Sequence, residues 1–125
     1  MSEPQTPRDV LSPVKVAAAA AVQIQAFHRD FVEQVQAAVA RDHVVVVGMG
    51  QNPHVTRAKK ALKAAHIPFT SIDHGNYVYG YHRRLAVKMW TGFPTFPQVF
   101  VDGVLIGGCR ELLQMLSAGQ VKPQP

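Results

Sequence analysis

The stretch Val44-Val45-Val46-Val47 restricts the fold of this chain more than any other. A run of β-branched residues without polar alternation predicts a strand buried on both faces, as in a parallel sheet covered by helices on each side. The chain must therefore supply those helices, and its 125 residues with 47% hydrophobic content are enough for one domain with a real core. Cys109 is the only cysteine. An intrachain disulfide and a thiolate zinc cluster are thereby excluded, so packing must hold the fold, and the composition suits a reducing, cytoplasmic setting. No segment nears the ~20 apolar residues that cross a bilayer. The closest, Val14 to Val22, is broken by Lys15, and Glu3, Asp9 and the early prolines spoil the positive leader of an export signal.

Residues 1–25 read as an N-terminal extension, flexible over 1–13 and alanine-rich after the Ser12-Pro13 helix-start signal. Residues 26–120 read as the domain and 121–125 as a C-terminal tail. Phe27, Phe31, Val35 and Val39 recur at four-residue spacing and predict a helix over about 26–41 that docks on the valine strand. After the loop Gly48-Met49-Gly50-Gln51, Asn52 is a strong N-cap and Pro53 suits the first helical position. The helix beginning there turns Val55, Ala58, Leu62 and Ala65 inward and ends before Pro68. Phe69-Thr70-Ser71-Ile72 then reads as a second strand, parallel to the first because a helical crossover joins them. A further helix over 77–90 places Val78, Tyr81, Leu85 and Met89 near one side, though Gly80 weakens it. Asp102-Gly103, between Gln98–Val101 and Val104–Ile106, is a two-residue hairpin signal. Gly107-Gly108 leads into a last helix carrying Leu112, Leu113 and Leu116, closed by Gly119.

Charge is uneven: residues 1–42 are net −1 and residues 43–125 net +6. Arg57, Lys59, Lys60 and Lys63, with Arg83, Arg84 and Lys88, read as solvated helix faces that favour anionic partners at long range. Without an aromatic stacking motif they do not make a nucleic-acid site. The histidines form no metal-ligand spacing, so no metal site is expected.

The order βαβ, helix, hairpin, helix, together with Phe93-Pro94, Thr95-Phe96-Pro97, Pro97-Gln98-Val99 and Gly107-Gly108-Cys109-Arg110, resembles the glutaredoxins, particularly their monothiol branch. The resemblance covers about residues 43–120 and implies an α/β, thioredoxin-like three-layer fold. Its four-stranded mixed sheet would hold a central parallel pair and a C-terminal antiparallel hairpin, flanked by helices and preceded by an extra N-terminal helix. It further implies a cis proline at Pro97 ahead of an edge strand, with backbone groups of Phe96 left to pair with glutathione or an extended peptide.

The family places a nucleophilic cysteine at the N-cap of the helix after the first strand, where the helix field favours thiolate. By the resemblance that position is Asn52, in Asn52-Pro53-His54-Val55, and an amide forms no mixed disulfide. His54 on the first turn reads as a solvated side chain. A lysine of many members corresponds to Met49, and the acidic residue after Gly-Gly-Cys to Arg110, which would repel a ligand ammonium by on the order of 1–4 kcal/mol at about 4 Å. What remains for a ligand is Thr95, Phe96 and Pro97, the amides around Gly108 and Cys109, Arg110, and Arg83 in the penultimate helix. These suit an anion. An iron-sulfur cluster would miss its thiolate ligand at position 52.

The expectation is a glutaredoxin-like pseudoenzyme, with no catalytic residue and with glutathione binding weakened, that holds a small thiol or anionic ligand or an extended peptide. Two alternatives stand beside it. In one, Cys109, at a helix start beside Arg110, has a lowered pKa and carries residual glutathione-linked redox work, against the plain reading of a buried small hydrophobe. In the other the chain is a basic interaction module.

Overall fold

The computed structural model describes residues 11–75 and 80–124. Within it β1 (Val44–Gly48), β2 (Thr70–Asp73), β3 (Gln98–Val101) and β4 (Val104–Gly107) form one sheet in the order β2-β1-β3-β4. β1 and β2 run parallel, with Val47 opposite Ile72, and β3 pairs antiparallel with both β1 and β4. The helices are α1 (Ala18–Ala26), α2 (Arg29–Arg41), α3 (Pro53–Ala64), α4 (Tyr81–Thr91) and α5 (Cys109–Ser117).

The valine run behaves as both-face burial demands. Val45 and Val47 pack with Phe31 and Val35 of α2, Val87 of α4 and Phe100 of β3. Val44 and Val46 point the other way, into a second cluster with Ala58 and Leu62 of α3 and Leu112 of α5. Each fully buried valine contributes about 1.5–3 kcal/mol of transfer free energy, which four adjacent positions supply only when both faces are covered. The hairpin forms where Asp102 and Gly103 both take positive φ, 50° and 81°, as a type I′ turn requires.

Two helices differ from the spacing-based expectation. The helix expected over 26–41 is broken at His28, whose φ of 44° turns the chain between α1 and α2. No side chain of α1 is buried, and α2 buries Phe31, Val32, Val35 and Ala38. Apolar spacing carries no signal of a left-handed residue without glycine. α4 starts at Tyr81 after left-handed Gly80. The expected start at Tyr77 and the Val78 position lie outside the described residues, as do residues 1–10 of the extension. The apolar series Tyr81, Leu85 and Met89 is exposed, and Arg84, Ala86 and Val87 are buried. The small Ala86 and the compact Val87 sit on the side packed toward α2, and Trp90 stacks on Phe100 with ring centroids 5.8 Å apart.

Asn52 caps α3. Its Oδ1 accepts from the backbone N–H of His54 at 2.9 Å and of Val55 at 3.3 Å, and Pro53 follows as the first helical residue. Its Nδ2 donates to the Phe96 carbonyl at 3.4 Å. Asn52→Ala is expected to lose about 1–2 kcal/mol in urea denaturation with an unchanged m-value, and Asn52→Asp, which keeps the acceptor, less than half of that.

His43 fastens the other end of β1. Its Nδ1 lies 2.6 Å from Asp102 Oδ1 and its Nε2 2.7 Å from the Lys122 carbonyl. Both partners are acceptors, so both ring nitrogens must carry hydrogens and the imidazolium is the form that fits. The hydrogen bond to Asp102, then that to Lys122, accordingly hold its pKa above the ordinary value. A raised histidine stabilises below its unfolded pKa of about 6.5 and loses that contribution as pH climbs through the folded value. His74 is shifted down, by burial first and then by Arg83, Arg84 and His28, so its contribution is lost on the acid side. Melting temperature is therefore expected to fall as pH rises above about 6.5, and His43→Ala to flatten that fall in thermal scans.

Candidate functional site

A cleft of about 530 Å³ opens where the start of α3, the Thr95–Pro97 loop, one side of α4 and the start of α5 converge. Four separate stretches of sequence meet there because β1 and β3 are neighbours: the loop after β1 and the loop before β3 emerge at the same end of the sheet. Crevices at the carboxyl ends of strands are where open α/β sheets bind ligands.

At one wall stands Asn52, nearly buried, tied to α3 through Oδ1 and to the loop through Nδ2. The Phe96–Pro97 peptide is cis. Pro97 leads into β3, which lies inside the sheet; the edge strands are β2 and β4, so the expected edge position is corrected. Of the Phe96 backbone groups, the carbonyl is already engaged, since it receives the Asn52 amide. The Phe96 ring itself is 7% exposed and part of the core, with Lys88 Nζ 5.5 Å from its centroid. Thr95 is exposed beside it, and Phe93, Pro94 and the buried Met49 give the cleft an apolar lining.

At the opposite wall Gly108 precedes α5. A Cβ there would lie 3.2 Å from the Pro97 carbonyl, so the close approach of this turn to the cis-proline loop leaves little room for a side chain. The Gly108 amide donates to Glu111 Oε1 at 3.3 Å, the backward half of a capping box. That contact revises the idea that the amides around Gly108 and Cys109 await an anion, because a carboxylate of the chain already engages one of them. Cys109, the first residue of α5, is 6% exposed and packs in the core cluster with Val44 and Leu112. Burial pushes its thiol pKa up; Arg57 works against this, and Glu111 adds to it. The lowered pKa expected from Arg110 is thus reversed: Arg110 is exposed, while low polarity and a neighbouring carboxylate both oppose the thiolate.

The cationic side is α4, but through a different arginine. Arg83 lies outside the cleft lining, with Nη2 3.9 Å from Asp30 Oδ2 of α2. Its neighbour Arg84 is buried at the cleft and donates from Nη1 to the His74 carbonyl at 3.0 Å. Lys88, one turn further along α4, joins it, and His54 and Arg110 complete the basic rim. Neighbouring helical residues differ by about 100° in direction, so a helix start shifted by Gly80 selects the arginine. Glu111 had a readable signal, an acidic residue at the third position of a helix that starts after Gly108. Among the described residues no group of three or more His, Cys, Asp or Glu side chains is placed to hold a metal ion.

Residues 44–106 match the family model described as Glutaredoxin. A glutaredoxin-like protein of Dictyostelium discoideum is 44% identical over 96 residues, 77% of this chain and 78% of that protein. Among solved structures, wheat glutaredoxin superposes with a TM-score of 0.62 at 26% identity, covering 72% of this chain and 85% of that one. A buckwheat glutaredoxin–glutathione complex matches with a TM-score of 0.62 at 23% identity, covering 74% and 84% of the two chains. The valine strand, its parallel neighbour and the Asp-Gly hairpin all fall within the matched segment, and on that evidence the chain belongs to the glutaredoxin family.

Proposed function

We propose that this glutaredoxin-like protein, related to glutathione-dependent oxidoreductases, binds glutathione or a similar small anionic thiol compound in the cleft without thiol-transfer chemistry. The observation that carries the reading is the Asn52 carboxamide at the start of α3, facing the Thr95–Pro97 loop. We assign to it the position where the family places its nucleophilic sulfur. A carboxamide has no thiolate-like state and forms no mixed disulfide, so neither half of a thiol–disulfide exchange can begin there.

The rest of the proposed site follows from charge and shape. Thr95, Phe96, Pro97, Gly108, Cys109 and Arg110 line one cleft and are assigned to the ligand, with Arg84 in place of Arg83. Arg84 and Lys88 suit ligand carboxylates. Glu111, beside the exposed Arg110, suits a ligand ammonium and offsets part of the repulsion an arginine there creates. The family's iron-sulfur cluster does not fit this donor set: Asn52 supplies no thiolate, and the sulfur of Cys109 is buried in the core with its pKa raised. The same burial weighs against residual redox work by Cys109. We take residues 26–120 as the working unit, 1–25 as an extension and 121–125 as a tail, in a reducing cytoplasmic setting. No helix among the described residues is long and apolar enough to cross a membrane.

Calorimetric titration with reduced glutathione is expected to show binding. Incubation with oxidised glutathione is expected to leave the mass unchanged, whereas Asn52→Cys gains one glutathionyl adduct and measurable transfer to a disulfide substrate. An adduct at Cys109 that turns over in the unmodified protein would overturn the reading. Arg110→Asp is expected to tighten reduced glutathione by about tenfold at low salt, because it removes a like charge from the ligand ammonium.

A further inference from the structure

The start of α3 differs from a sulfur-binding helix end in a way that bears on which form of the ligand it accepts. Both backbone N–H groups there, of His54 and Val55, are already directed at Asn52 Oδ1. Neither is left for a sulfur anion. One hydrogen of Nδ2 goes to the Phe96 carbonyl, and the other is a neutral donor that serves a thiol and a thioether sulfur alike. The chain's one thiol, Cys109, is buried in the core and disfavoured as thiolate. The amides that open α3 therefore do not reward a ligand whose sulfur ionises or exchanges.

The rest of the cleft rewards the opposite property. Met49, Phe93 and Pro94 line the same open cleft of about 530 Å³ as Asn52, the Phe93 ring on the Gly108 side, so a ligand seated there meets apolar surface as well as space. We infer that the cleft accepts S-substituted glutathione, the thioether formed when an electrophilic carbon is captured by the thiol, at least as well as the free thiol. The inference rests on the reading of the cleft as a glutathione site. It assigns the protein a role in holding alkylated thiol compounds, supplied by reactions that add thiols to electrophiles. Binding is non-covalent, and no bond is made or broken.

The test is a calorimetric comparison of reduced glutathione, S-methylglutathione and S-butylglutathione on the unmodified full chain. S-methylglutathione is expected to bind within about threefold of the free thiol, and S-butylglutathione about tenfold more tightly, through partial burial of its additional methylenes. Phe93→Ala is expected to remove most of the butyl gain while S-methylglutathione still binds. If reduced glutathione binds and the S-methyl form is weaker by about tenfold or more, the thiol hydrogen or its anion is being recognised and the inference is overturned, with the glutathione site left standing. A butyl group that gives no gain overturns it equally. Absence of binding by all three removes the glutathione reading itself.

Discussion

Burial of β1 on both faces is the constraint from which the rest of the molecule follows. Four adjacent valines can leave water together only if helices cover both sides of the strand, and the two core clusters divide mainly into α2 with α4 on one side and α3 with α5 on the other, with Val55 of α3 joining the first. The covered strand then delivers its carboxyl end, at Gly48, to the tip of α3, while its antiparallel partner β3 brings in the cis-proline loop from the opposite direction. The cleft is thus a product of sheet order. It lies where two neighbouring strands end and begin at the same rim.

At that rim Asn52 sets the chemistry of the helix start. The amides at a helix start carry partial positive charge and stabilise whatever acceptor is placed before them. A cysteine there would draw that stabilisation into its ionised form and become reactive. Asparagine draws it into a neutral cap, worth about 0.5–2 kcal/mol to the fold. It also holds the Phe96 carbonyl with its remaining end, joining the helix to the loop. The scaffold gains a fixed wall, and in the proposed function that wall positions a ligand without reacting with it.

The features legible in the sequence were those whose cause is local. The βαβ unit, the Asn52-Pro53 start and the Asp102-Gly103 turn are set by residues adjacent to one another, and each stands where its residues predict. The misread features have tertiary causes. The left-handed turn at His28 interrupts a spacing that reads as one helix, because a backbone angle leaves no trace in apolar periodicity. In α4 the large apolar residues at 81, 85 and 89 lie near one side, yet the smaller Ala86 and Val87 are the buried ones, because close packing against α2 selects small residues. That rotation carried the site with it, placing Arg84 at the cleft and turning Arg83 toward Asp30.

The charge pattern of the cleft is also not the one a residue-by-residue comparison suggests. Arg110 alone would make the start of α5 an anion site, since exposed amides and a guanidinium act in the same sense. Glu111 reverses part of this. Its carboxylate takes the Gly108 amide, so the donor that an anion would use is already engaged, and the negative charge stands on the cleft wall. Lys88 on α4 brings a further cation to the same cleft, beside the buried Arg84. The cleft is therefore two-ended, positive along α4 and mixed at α5. A ligand that carries carboxylate at one end and ammonium near the other matches this division better than a simple anion does, because a simple anion would meet Glu111 wherever it approached the amides of α5.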